Sequence, residues 1–109
     1  MIEVKYNPKE FELTVSGHAM SKSKKPDIYC AGVSSLVFAL CKTLGQALAH
    51  GCLKENGLSI ERERGYAHIK CDPLEDYIPN IETIFMVIIN GLEAEAESYP
   101  QYVSFIPVD

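Results

Sequence analysis

The chain is short of the features that announce most specialised proteins. Its first residues, Met1-Ile2-Glu3-Val4-Lys5, carry charge from the third position. That is not the apolar stretch of a secretory leader, and a cytoplasmic protein is the expectation. The apolar run from Ile84 to Ile89 falls far short of the roughly 20 residues that cross a bilayer, so no membrane partner is expected. No Gly-rich phosphate loop, linker, internal repeat or low-complexity tract is visible. Basic residues are scarce: 10 Lys and Arg stand against 15 Asp and Glu, giving a net charge of −5. Phosphate recognition needs clustered cations, and Lys22, Lys24 and Lys25 are too small a cluster to bind nucleic acid directly. The four cysteines, Cys30, Cys41, Cys52 and Cys71, contain no CxxC pair. With no leader in view they read as reduced thiols, and their wide spacing argues against a structural zinc site.

What is present is a chain of 109 residues, 47% hydrophobic, enough for one domain over residues 1–109 with a buried core. Ile2, Val4 and Tyr6 alternate with polar residues, and Asn7-Pro8 marks a turn. Phe11, Leu13 and Val15 alternate again, giving a second strand that ends at Ser16-Gly17-His18-Ala19. Met20 to Pro26 is polar and rich in Lys and Ser, a loop. Asp27 is a good N-cap for a long helix, and Gly51 is a plausible stop. The apolar residues of that helix, from Ile28 to Leu48, occupy more than one stripe. They call for a sheet on one face and a partner subunit on another. Leu58 to Arg64 and Tyr66 to Cys71 form a hairpin turned at Gly65, and Asp72-Pro73 breaks the pattern. A second helix begins between Leu74 and Asn80 and runs to about Ser98. Its core face is Ile81, Ile84, Phe85, Ile88, Ile89 and Leu92. Tyr102 to Pro107 is a last strand. The order ββαββαβ predicts an α+β fold, with two helices packed on a mostly antiparallel sheet.

Two residues invite chemistry. His18 lies where the second strand runs out, and Cys30 falls in the first turn of the long helix. Free backbone N–H groups and partial positive charge gather at a helix N-terminus. A thiol there has its thiolate stabilised. A neighbouring imidazole could act as its base, and the free amides could hold an oxyanion. Gly17 lets the backbone approach closely before the histidine. The residues alone leave the bland alternatives standing. A helical cysteine is usually packing, and a histidine at a strand end is usually a surface residue.

Ser16-Gly17-His18-Ala19, followed after the loop by Asp27-Ile28-Tyr29-Cys30-Ala31-Gly32-Val33-Ser34-Ser35-Leu36, resembles the ribosomal-processing cysteine proteases, the Prp family. Gly91-Leu92 and Tyr99-Pro100-Gln101-Tyr102-Val103 are similar to that family's ending. The resemblance implies a Cys-His protease acting as a homodimer without a cofactor. Its implied substrate is the N-terminal extension of a large-subunit ribosomal protein, the twenty-seventh of that series, cut after paired aromatic residues. Relatives in some phages process capsid or scaffold proteins. By resemblance His18 matches the family histidine, Cys30 the nucleophile and Asp27 the acid before the helix, which also serves as a cap. Ser34 lies one turn after Cys30 on the same helix face; a back-bond to its own helix is the default for such a residue. The sequence departs from the family pattern at Pro26, Tyr29 and Gly32, where glycine, a small aliphatic and alanine are usual.

The remaining candidates read more plainly. Cys41 belongs to the core. His50 lies some 30 Å along the helix from Cys30 at 1.5 Å per residue, too far to serve it within one subunit. His68 is a sheet-surface residue, and Glu93, Glu95 and Glu97 are a solvated helix end. Two rival functions remain: a dimeric module that binds a peptide or ribosomal partner without cutting it, and a metal site on His18 and Cys30, which lacks a clear third ligand.

Overall fold

A computed structural model describes residues 1–17 and 28–107, and the side chains of all of these except 28–30 and 107. Two hairpins and two helices build it. Strand β1 (Ile2–Asn7) turns into β2 (Glu12–Ser16), helix α1 spans Ile28–Ala49, β3 (Leu53–Glu63) turns into β4 (Tyr66–Pro73), helix α2 spans Ile78–Ser98 and β5 (Val103–Pro107) closes the chain. The strands form one sheet in the order β3-β4-β2-β1-β5. Every pairing is antiparallel except that of β1 with β5, which is parallel. The fold is α+β, with two helices on a mixed five-stranded sheet.

Period-2 alternation sorts the sheet into two faces. Ile2, Val4, Leu13, Val15, Ala67, Ile69 and Cys71 are buried, while Glu3, Lys5, Thr14, His68 and Lys70 occupy the opposite face. Both helices cover the apolar face. α1 contributes Val33, Val37, Leu40, Cys41 and Leu44, and α2 contributes Ile81, Phe85, Ile88, Ile89 and Leu92. Ile84, expected in the core, is only partly buried against it. Phe85 sits at the centre, stacked on Tyr6 with ring centroids 5.3 Å apart and tilted against Phe11 at 5.7 Å. The segment Ala31–Ala49 is long and apolar enough, by length and composition, to cross a membrane. Here one stripe of it lies in the core, and Phe38 and Leu48 are left exposed.

Helix ends follow their local chemistry. α1 stops in a Schellman motif: the Cys52 N–H donates to the Ala47 carbonyl at 2.9 Å and the Gly51 N–H to the Leu48 carbonyl at 3.1 Å. Gly51 takes the φ of +77° that the motif requires. α2 carries Pro79 inside its first turn, where no backbone donor is needed. A 3-10 turn at Glu75–Tyr77 leads into it.

The structure corrects two boundaries. β3 begins at Leu53 rather than Leu58, because Asn56-Gly57 makes a bulge instead of a break. Asn56 adopts φ of +57°, and a Cβ on Gly57 would lie 2.6 Å from the Lys54 carbonyl oxygen and 2.8 Å from that of Asp72, so only glycine fits between them. β4 continues through Pro73, which pairs with Leu53. Its ladder with β2 has already ended at Lys70, opposite Glu12. Pro73 therefore has one neighbour strand, and a missing N–H costs no second bond.

Phe85 is fully buried and anchors α2 to β1. Truncation to Phe85→Ala should cost about 3–5 kcal/mol, read as a lowered denaturant midpoint with an unchanged slope.

Candidate active site

The candidate site lies where α1 begins. Cys30 is the third residue of that helix, inside the turn whose amides lack intrahelical acceptors; its side chain lies outside the described residues. His18, Asp27 and the loop from Met20 to Pro26 also lie outside them. Gly17 and Ser34, the two remaining candidates, are both described, and they line one cavity of about 110 Å³.

The cavity's walls come from five elements. Ile2 and Val15 form part of its floor from β1 and β2, and Val33, Ser34, Val37 and Phe38 form one wall from α1. The opposite wall is the β3–β4 hairpin, with Arg62, Glu63, Gly65, Tyr66 and Ala67. A space of this size, mostly hydrocarbon, suits one apolar side chain. Residues 30, 34 and 38 recur at the four-residue spacing that keeps positions on one helix face, so the cavity runs along the face of α1 that carries position 30.

Arg62 is the unexpected part of this wall. Its partner across the hairpin is Ala67, a core-face residue, so the strand's alternation turns a cation inward at the sheet's edge. The guanidinium stacks over the Phe38 ring, 5.2 Å from its centroid, which satisfies the charge through the ring's negative face. Phe38 remains more than half exposed at 54%. The alternation Ile60-Glu61-Arg62 carried the signal for this residue: a charge in an inward register.

Gly17 leaves β2 at φ of +98°. Its N–H donates to the Gly65 carbonyl at 2.9 Å, and a Cβ would lie 2.1 Å from the Met1 carbonyl oxygen. The close approach expected before position 18 is therefore made against the first residue and the hairpin turn. Gly32, one of the departures from the family pattern, also has a structural reason. A Cβ there would lie 2.8 Å from a carboxylate oxygen of Glu95, so the glycine lets α2 lay that side chain against the first turns of α1. Glu95 is thus partly buried at the helix seam, whereas Glu93 and Glu97 are exposed.

The other histidines and cysteines stand apart. His50 follows the far end of α1 and is exposed. His68 lies on the open face of the sheet, where its Nε2 is 2.7 Å from a Glu12 carboxylate oxygen; it is held by that hydrogen bond rather than free at the surface. Cys41 and Cys71 are buried. Burial, with the nearby Asp72 charge, pushes the Cys71 thiol up to about 11. Burial also raises Cys41, against a smaller opposing effect of Arg62. No group of three or more metal-ligating side chains occurs among the described residues.

Comparison with known proteins places this geometry. The family model for cysteine protease Prp matches residues 1–104. The ribosomal processing cysteine protease Prp of Mycoplasma pneumoniae is 31% identical over 104 residues, covering 94% of this chain and 92% of that one. Two crystal structures of the essential ribosomal processing protease Prp from S. aureus share the fold. The one with a covalently linked product peptide gives a TM-score of 0.67 at 17% identity, and the one with a substrate peptide 0.68 at 16%. Each match covers 98% of this chain and 97% of that one. The chain belongs to the Prp family of cysteine proteases.

Proposed function

We propose that this protease removes the N-terminal extension of a large-subunit ribosomal protein, the twenty-seventh of its series, with Cys30 as nucleophile and His18 as base. The observation that carries the assignment is the shared cavity. Gly17, next to His18 in the chain, and Ser34, one helical turn from Cys30, line the same space. Within one protomer the alternatives to His18 are remote, since His50 lies beyond the far end of α1 and His68 beneath the sheet.

The chemistry follows from the helix end. His18 takes the Cys30 proton, and the thiolate attacks the scissile carbonyl carbon. The oxygen of the tetrahedral intermediate is held by amides of the first helical turn, with Asp27 capping others. Collapse breaks the C–N bond, and the imidazolium gives its proton to the departing amine. Water, deprotonated by the same imidazole, then attacks the thioester, frees the carboxylate product and returns the thiol. Ser34 borders the cavity one turn beyond the thiol, placed to touch a bound peptide. The cavity takes an apolar side chain of that peptide, and the Arg62–Phe38 pair forms its rim. Peptide complexes of the S. aureus relative show that the fold holds such a ligand in that protein. Exposed Leu48, Met86 and Val87 leave apolar side chains on both helices uncovered, which favours a homodimeric enzyme.

Three measurements check this reading. Incubation with the host's ribosomal precursor should yield a shortened product by mass spectrometry. Cys30→Ala should lower the rate by about 10³-fold or more; cleavage unchanged in that variant removes the nucleophile assignment. Iodoacetamide at neutral pH should alkylate Cys30 first, with Cys41 and Cys71 slowest because their raised pKa values leave them protonated. Equal labelling of all four cysteines would favour a non-catalytic binding module. Ala67→Leu, which fills the cavity from below, should lower kcat/KM roughly 10- to 200-fold with Cys30 alkylation unchanged.

A further inference from the structure

The turn that joins β3 to β4 touches the end of the strand that leads into His18, and this contact has a consequence for catalysis. The β2–β4 ladder ends with Ser16 opposite Tyr66. One further bond lies beyond it, from the Gly17 N–H to the Gly65 carbonyl at 2.9 Å. On the other side the Met1 carbonyl oxygen sits where a Gly17 Cβ would be, 2.1 Å from that position. Gly17 is thus wedged between two backbone carbonyls. Both glycines hold φ values that side chains resist, +98° at Gly17 and +79° at Gly65. The hairpin register, Glu63 opposite Tyr66, fixes where the Gly65 carbonyl lies. The same hairpin supplies one wall of the cavity through Arg62 and Tyr66.

We propose that Gly65 is a positioning residue for the reaction: its carbonyl, with that of Met1, fixes the backbone at Gly17 and so the point from which the base at position 18 is delivered. The inference rests on the reading of His18 as base and Cys30 as nucleophile. It adds that the hairpin which shapes the substrate cavity also sets the base's origin, so the cavity wall and the backbone leading to position 18 share one support. Misplacement of a catalytic group by about 1 Å can cost about 10²-fold in rate, so a change of backbone conformation at residue 65 reaches the chemistry through Gly17, over and above any effect on the cavity wall.

The experiment compares two substitutions at one position. Gly65→Asn accepts positive φ, and Gly65→Val, being β-branched, does not. Gly51→Ala is the control. It carries a φ of +77° at the far end of α1 with open space around it, so it imposes comparable backbone strain away from the site. The readouts are kcat and KM on the ribosomal precursor, and the pH profile of iodoacetamide alkylation at Cys30, all at a temperature where circular dichroism shows each variant folded. Gly65→Val should lose about 10²-fold in kcat with KM within about twofold, and its alkylation profile should superimpose on that of His18→Ala. Gly51→Ala should keep the wild-type kcat, KM and profile, and Gly65→Asn, which adds a side chain at the cavity wall, should restore the alkylation profile relative to Gly65→Val. Gly17→Ala provides a second route to the same loss, should Gly65→Val not fold. A wild-type profile in both Gly65→Val and Gly17→Ala, with a changed one in His18→Ala, overturns the positioning role and leaves the dyad standing. An unchanged profile in His18→Ala overturns the dyad, and the positioning role with it.

Discussion

The seating of α1 on the sheet is the constraint from which the rest follows. Val33, Val37, Leu40 and Leu44 are buried at helical spacing, and a helix can present that stripe to a flat apolar face in few orientations. Once the stripe is down, the helix axis, its start above the end of β2 and its finish near β3 are all set. α2 then locks the arrangement from the side. A Cβ on Gly91 would lie 2.9 Å from Leu36 and one on Gly32 2.8 Å from Glu95. One glycine on each helix therefore meets a side chain of the other, Gly32 facing Glu95 and Gly91 facing Leu36. A nucleophile on the first turn of α1 inherits its precision from core packing.

The same seating explains the cavity. A gap remains between α1 and the sheet at the β3–β4 corner, and it is lined by short or branched residues, Val15, Val33, Val37 and Ala67. The cavity is therefore space that short side chains on both walls leave unfilled. It lies on the helix face that continues to position 30.

Most of the architecture was legible because burial imposes periods on the sequence. The alternation at Ile2 to Tyr6, the Gly65 turn, the Gly51 stop and the core face of α2 all follow from residues within a few positions of one another. The errors came from interactions between distant residues. Asn56-Gly57 reads locally as punctuation, yet the chain passes through it as a bulge because Asp72, across the sheet, accepts the close approach. Pro73 reads as a breaker, yet it survives because β2 has already ended. Of the site, the family motif marked Gly17, His18, Asp27, Cys30 and Ser34. The cavity between α1 and the hairpin had no local signature, since its two walls are contributed by segments some 30 residues apart in the chain.

Several local rules fail around the cavity beside α1. Arg62 occupies an inward register that alternation would give to an apolar residue, Phe38 stays exposed beneath it, and Gly17 and Gly65 adopt backbone conformations that side chains avoid. Elsewhere the core obeys the rules closely, with no buried polar or charged residue among those described. The cysteines fit the same division. Cys41 and Cys71 lie within the obedient core, and burial there raises their pKa values and keeps the thiols protonated. Cys30 lies at the departing corner, on the helical turn whose free amides favour a thiolate. On the proposed reading, one residue type serves as filler in the core and as a nucleophile at the helix end.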